Sequence, residues 1–249
     1  MGDQHLSYPQ KKGKTQDLTP CNNDLTLETL MTLKLCGFSV SNYYSKLKLQ
    51  LLEKNVPFEE ELVWVGNTHP RLMERSPMGK VPFIETPDGC ISESMACAEY
   101  IEQKYPQHAL LPADPFQAGK VRELIVYLEL HLELVARELY AQAFFGGTVS
   151  DETKERVRKQ LTKGIAAFSK LAKFSPYVAG SEFTLADCAA VIHLPLVSSA
   201  TKRVLGEDML AGLPVKDYVK RIEERPTMQR VNADRKVNAE EMAALRAKK

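Results

Sequence analysis

An excess of charge of one sign is the first thing this sequence lacks: its 249 residues carry 33 Lys plus Arg against 32 Asp plus Glu, a formal net charge of +1 with the five histidines neutral. Proteins that bind nucleic acid draw affinity from neutralising phosphates, so a nucleic-acid partner is not expected. Long apolar runs are also missing. Every hydrophobic stretch is broken by charge within a few residues, which argues against a membrane span. There is no C-x-x-C pair. The five cysteines (Cys21, Cys36, Cys90, Cys97, Cys188) stand far apart, and no histidine is placed to complete a zinc site. An odd, dispersed set fits a reducing cytoplasm, and no metal is expected. What remains, 44% hydrophobic and 26% charged residues, is the composition of a globular protein long enough for one large domain or two modest ones.

Residues 1–30 form a polar stretch without an apolar run, unlike a signal peptide. They read as an extension expected to be disordered, with Met31 a candidate original start. From Thr32 the pattern is a short strand (TLKLCGF), a polar segment (SVSNYYS), a helix (KLKLQLLEKNV) stopped before Pro57, and a second strand (PFEEELVWV). An irregular segment around His69 and Pro70 leads to a third strand (KVPFIET). The turn signal Pro87-Asp88-Gly89, the extended CISES and a helical SMACAEYIEQKY complete a small α/β domain over 31–106. Residues 107–118, rich in proline, read as a linker.

Beyond it, in 119–249, no strand pattern appears. Val121, Leu124, Ile125, Leu128, Leu132, Val135 and Leu139 recur at helical spacing, and Tyr127, Leu130 and Leu134 form a second stripe. A helix apolar on two sides is expected in the middle of a bundle, ended by Gly146 and Gly147. FTLAD marks a helix start, with Thr184 and Asp187 as a reciprocal cap of structural importance. The fold class expected is an α/β N-terminal domain followed by an all-α helical bundle.

Three places in the α/β domain carry more polar detail than a core requires. Ser39 to Ser45 join the carboxyl end of a strand to a helix start, where ligands bind in open sheets and where free N–H groups favour anions. A serine hydroxyl there donates to a thiolate, or it caps the helix. Gly79-Lys80-Val81-Pro82 opens a strand with a proline; a cis Val81–Pro82 bond would turn the Val81 backbone outward to pair with a peptide, whereas a trans bond would make an ordinary edge strand. Glu93-Ser94 enters a helix and suits the ammonium and carboxylate of an α-amino acid, or again a cap.

Taken together, KLCGFSVSNYYSKLKLQLLEKN, SPMGKVPFIETPDGCISESMACAEYIEQKYP, FTLADCAA and LPVKDYVKRIEERPTMQRV resemble the cytosolic glutathione transferases, of a serine-type, bacterial-like kind, over roughly Met31 to Arg235. The resemblance implies a thioredoxin-like first domain with a cis Val81–Pro82 bond, glutathione as co-substrate, and a two-fold homodimer. It implies that Lys80, Val81, Glu93 and Ser94 bind glutathione and that the Ser41 hydroxyl stabilises its thiolate, the nucleophile. The loop reads Ser-Asn-Tyr, not the Ser-Ser-Cys of isomerase-type members, and Asn67 stands where several groups keep a glycine-binding histidine, with His69 two residues on. A small electrophile is expected between the domains, near Phe38, Tyr43, Tyr127, His131 and Leu134. Conjugation of that electrophile is the leading reading. The alternatives are glutathione-dependent reduction of a disulfide or peroxide, and a non-catalytic glutathione-binding or regulatory protein on the same fold.

Overall fold

The computed structural model describes residues 32–65 and 70–247, so the N-terminal extension, Cys21, Asn67 and His69 lie outside the described residues. Four strands, β1 (Leu33–Gly37), β2 (Phe58–Leu62), β3 (Phe83–Thr86) and β4 (Gly89–Ser92), form one mixed sheet in the order β2-β1-β3-β4. β1 pairs parallel with β2 and antiparallel with β3, and β3 pairs antiparallel with β4. Strand alternation splits the buried residues between the two faces. Leu33, Leu35 and Ile84 join the main core with α1 (Asn42–Glu53) and α3 (Ser94–Lys104), while Cys36 and Phe83 pack with Leu72 of α2 (Pro70–Arg75) on the other side. The short helix α2 occupies the end of the segment read as irregular. Three consecutive glutamates, Glu59 to Glu61, sit on the edge strand β2, where charge discourages pairing with another sheet.

The remaining chain is helical. α4 (Pro115–Val126) starts inside the stretch read as linker, where the Asp114 carboxylate accepts the Gln117 N–H at 2.9 Å. The long helix is then not regular. It widens into a π-helical turn over Tyr127–Glu133, resumes as α5 (Leu134–Arg137), and breaks before α6 (Tyr140–Phe144). α7 (Asp151–Leu171), α8 (Leu185–Leu205), α9 (Val215–Glu223) and α10 (Pro226–Ala247) complete the bundle. None of the described helices is long and apolar enough to cross a membrane.

The first apolar stripe is buried as expected, with Val135 half-buried, but of the second only Tyr127 packs against the core. Leu130 and Leu134 are 51% and 43% exposed, in a row with the exposed Val126. α7 closes over the side carrying Leu132, and Gly164 makes that approach possible: a Cβ there would stand 2.5 Å from the His131 carbonyl oxygen. The side facing α1 is taken by two acidic residues, Glu129 and Glu133, and Leu130 and Leu134 stay open to solvent. At the start of α8, the buried Asp187 carboxylate accepts the N–H of Thr184 at 2.8 Å, that of Val178 at 2.8 Å and the Tyr218 hydroxyl at 2.9 Å. Thr184 and Asp187 therefore do more than cap; they tie three segments of the bundle together.

Candidate functional site

The sheet register gathers the three polar places at one end. Cys36 faces Phe83 and Phe83 faces Ser92, so the carboxyl ends of β1 and β4 and the amino end of β3 lie side by side. Ser41 follows β1, Val81–Pro82 precedes β3, and Glu93–Ser94 follows β4. The Val81–Pro82 peptide is cis. Val81 packs so near β1 that a Cβ on Gly37 would come within 3.2 Å of it. Among the described residues the Val81 N–H and C=O have no hydrogen-bond partner. Lys80 is exposed, and its carbonyl accepts the Ser76 hydroxyl at 2.7 Å, which fixes the approach to Val81.

Ser41 occupies the N-cap position of α1 with φ −65° and ψ 122°, yet its hydroxyl makes no cap hydrogen bond. Its main chain is fully engaged: the N–H donates to the Phe38 C=O at 3.0 Å and the C=O accepts the Ser45 N–H at 2.9 Å. The capping alternative therefore fails here, and the hydroxyl is free for another acceptor. Glu93 alone turns the corner from β4 to α3. It does so at φ 67° and ψ 115°, a left-handed conformation that costs a non-glycine residue on the order of 1–3 kcal/mol and is characteristic of ligand clamps. The Glu93 side chain is exposed and makes no cap bond.

Ser94 is not a cap either. Its Oγ accepts from the ammonium of Lys46 at 2.8 Å. Lys46 lies on α1, is fully buried, and pairs with Glu129 Oε1 of the π-helical turn at 2.6 Å. An ammonium can only donate, so Ser94 must accept from it and its own hydrogen is left for an outside acceptor. Burial pushes the Glu129 carboxyl up, but the Lys46 ammonium and the nearby His193 ring outweigh it and hold the group at about 2. A buried charge is tolerated only when it is compensated in this way.

One turn further on, Glu133 organises the residues that follow Ser41. It is fully buried and accepts Asn42 Nδ2 at 2.8 Å, the Tyr43 hydroxyl at 2.7 Å and the Tyr140 hydroxyl at 3.2 Å, with Arg137 Nη2 at 2.5 Å. Burial and the adjacent Glu133 carboxylate keep the Tyr43 phenol well above its ordinary range, so it remains a donor. Asn42 Oδ1 accepts from Arg137 at 3.0 Å, which fixes the orientation of the amide. Its Nδ2 lies 3.0 Å from His193 Nδ1. That nitrogen must then accept, and a neutral His193 carries its proton on Nε2, 3.5 Å from Glu129.

The five residues expected around a second substrate are held in separate contacts. Tyr43 is held by Glu133 and lies 4.9 Å, ring to ring, from His193. Tyr127 and the exposed His131 meet edge to face at 5.1 Å, and Leu134 is exposed nearby on the same helix. Phe38 stacks on Trp64 at 5.2 Å and lines a groove of ≈ 270 Å³ with Val237 and Asn238 of α10. Sequence reasoning missed Asn42, Lys46, Glu129, Glu133, Arg137 and His193. The available signal was a pair of glutamates, four residues apart, interrupting an apolar helix.

Comparison with known proteins agrees with this geometry. A model of the glutathione S-transferase N-terminal domain matches residues 35–109, and one of the C-terminal domain matches residues 130–226. The chain is 46% identical over 207 residues to a glutathione S-transferase of Pseudomonas putida, covering 83% of this chain and 94% of that protein. Among solved structures, glutathione S-transferase III in its apo form superposes with a TM-score of 0.66 at 27% identity, covering 81% of this chain and 96% of that one. A glutathione S-transferase of Methylobacterium radiotolerans, complexed with glutathione sulfonate, gives 0.65 at 25% identity, covering 80% and 93%. The thioredoxin-like sheet with its cis-proline corner, the helical half that braces it and a relative sharing nearly half its residues place this chain in the glutathione S-transferase family.

Proposed function

We propose that the protein is a glutathione transferase whose Ser41 hydroxyl donates to the glutathione sulfur and thereby favours the thiolate. The observation that carries this reading is the uncapped Ser41 hydroxyl at the sheet end shared by Val81–Pro82 and Glu93–Ser94. The unpaired Val81 backbone suits the cysteinyl peptide of the ligand, Ser94 offers its hydrogen to the γ-glutamyl carboxylate, Glu93 faces the ammonium, and Lys80 stands beside the tripeptide. In conjugation the thiol proton passes to water, sulfur forms a bond to an electrophilic carbon, and the leaving group departs with its bonding pair.

A protein cysteine is a poor candidate for the nucleophile. Cys36, on the strand just before the loop, is buried, and burial followed by the Glu61 carboxylate pushes its thiol up to about 12. Dispersed free thiols, with Cys36, Cys97 and Cys188 buried, support a cytoplasmic setting. In calorimetry the protein is expected to bind glutathione, and to turn over an aryl halide faster than a glutathione mixed disulfide. Absence of binding sinks the reading; the reverse order of rates converts it into a reductase.

The same reading includes a two-fold dimer with a small-molecule electrophile as second substrate. The exposed Val126, Leu130 and Leu134 form an apolar row that a second copy would cover. Sedimentation is expected to show a dimer that Leu130→Lys weakens; a monomeric wild type would overturn this part.

A further inference from the structure

The loop that carries Ser41 is held from a distant part of the chain. Local partners serve most of its main chain: the Ser39 C=O accepts the Ser45 hydroxyl at 2.7 Å, and Ser41 bonds to Phe38 and Ser45. The Val40 N–H instead donates to Asn238 Oδ1 of α10, at 3.0 Å and 198 residues along the chain. Asn238 is buried, and its Nδ2 donates to Glu241 Oε2 at 3.2 Å, so the amide is oriented with its oxygen toward Val40. One turn earlier on α10, Arg235 Nη1 donates to Ser45 Oγ at 3.2 Å, bracing the same loop through the residue that grips Ser39.

Val40 directly precedes Ser41. Because the Ser41 hydroxyl has no cap bond of its own, its place is set by the backbone, and tilting the Val40–Ser41 peptide moves it. We propose that Asn238 is a positioning residue for Ser41: α10 fixes the peptide before the serine and so aims its hydroxyl. This rests on the reading of Ser41 as donor to the glutathione sulfur. The effect on Ser41 travels through one hydrogen bond, from the Val40 N–H to Asn238 Oδ1. Misplacement of a reacting group by about 1 Å can cost on the order of 100-fold in rate, so a small loss of aim is measurable.

The test uses full-length protein with glutathione and an activated aryl chloride, reading the pH midpoint of kcat/KM, the ultraviolet absorbance of bound thiolate, and Tm. Asn238→Ala withdraws the acceptor, and Asn238→Ser, with a shorter side chain, does so with less loss of packing. Both are expected to raise the midpoint by about one unit, equivalent to about tenfold lower activity below it, with Tm within a few degrees of wild type. Asn238→Asp combined with Glu241→Gln keeps an acceptor toward Val40 and removes the opposing carboxylate; its midpoint is expected to return to wild type. Unchanged midpoints in the alanine and serine variants, alongside a raised midpoint in Ser41→Ala, overturn the role of Asn238 alone. A shift in the Asn238→Asp, Glu241→Gln double variant as large as that of Asn238→Ala overturns it too. A Ser41→Ala midpoint equal to wild type overturns the reading of Ser41, and this proposal with it.

Discussion

Replacing Ser41 with alanine is expected to lower kcat/KM for glutathione in aryl-halide conjugation by about 10–100-fold at neutral pH, the worth of one hydrogen bond to a charged atom at about 1.5–3 kcal/mol. The sign with pH follows from which form the donor favours. Ser41 stabilises thiolate over thiol, so the bound thiol titrates below its ordinary value of about 8.5. The deficit of the variant is therefore complete below the wild-type midpoint and closes as pH rises past that ordinary value, where both enzymes hold thiolate. Stability is expected to stay unchanged, because the hydroxyl caps nothing. A variant with unaltered turnover and pH profile would return Ser41 to the status of a loop residue.

Lys46→Met carries the largest expected effect on stability. The substitution leaves an unbranched side chain one heavy atom shorter and removes its charge, so Glu129 is buried without its main partner. Losing one member of a buried pair costs about 3–5 kcal/mol. Glu129 has a folded value of about 2, below that of the unfolded chain, so the stability it contributes is present above the unfolded value and is lost as pH falls through the folded one. The penalty in Lys46→Met is thus largest at neutral pH and shrinks toward acid, as Glu129 takes up a proton. Replacing both partners, as Lys46→Met with Glu129→Leu, is expected to recover most of the melting temperature. Glutathione KM should stay raised in that double variant, because Ser94 has lost the donor that orients it. A Lys46→Met protein as stable as wild type at neutral pH would show that the pair is not compensating a buried charge.

Local chemistry made much of this molecule legible. The strand positions followed from alternation and turn residues, the break before Pro57 from the geometry proline imposes, and the cis bond at Val81–Pro82 from the family likeness. The Thr184–Asp187 cap could be read from four residues. What could not be read depends on pairing across the chain. Lys46 on a lysine- and leucine-rich helix looks like a solvated charge until Glu129, 83 residues on, is placed against it. The second apolar stripe misled for the same reason, since periodicity tells which residues share a face but not whether another helix arrives to cover it. The π-helical turn left no local signature.

The bond between Val40 and Asn238 also bears on how the protein is made. Synthesis runs from the first domain toward α10, and domains fold as they emerge at about 5–20 residues per second. With 198 residues separating the two partners, the loop bearing Ser41 waits on the order of 10–40 s for its last support. Through that interval α1 is a helix whose Lys48 awaits Asp234 and whose Glu53 awaits Arg225. A nascent α/β half is then a candidate for chaperone binding, and its competence as a catalyst arrives only with the final helix.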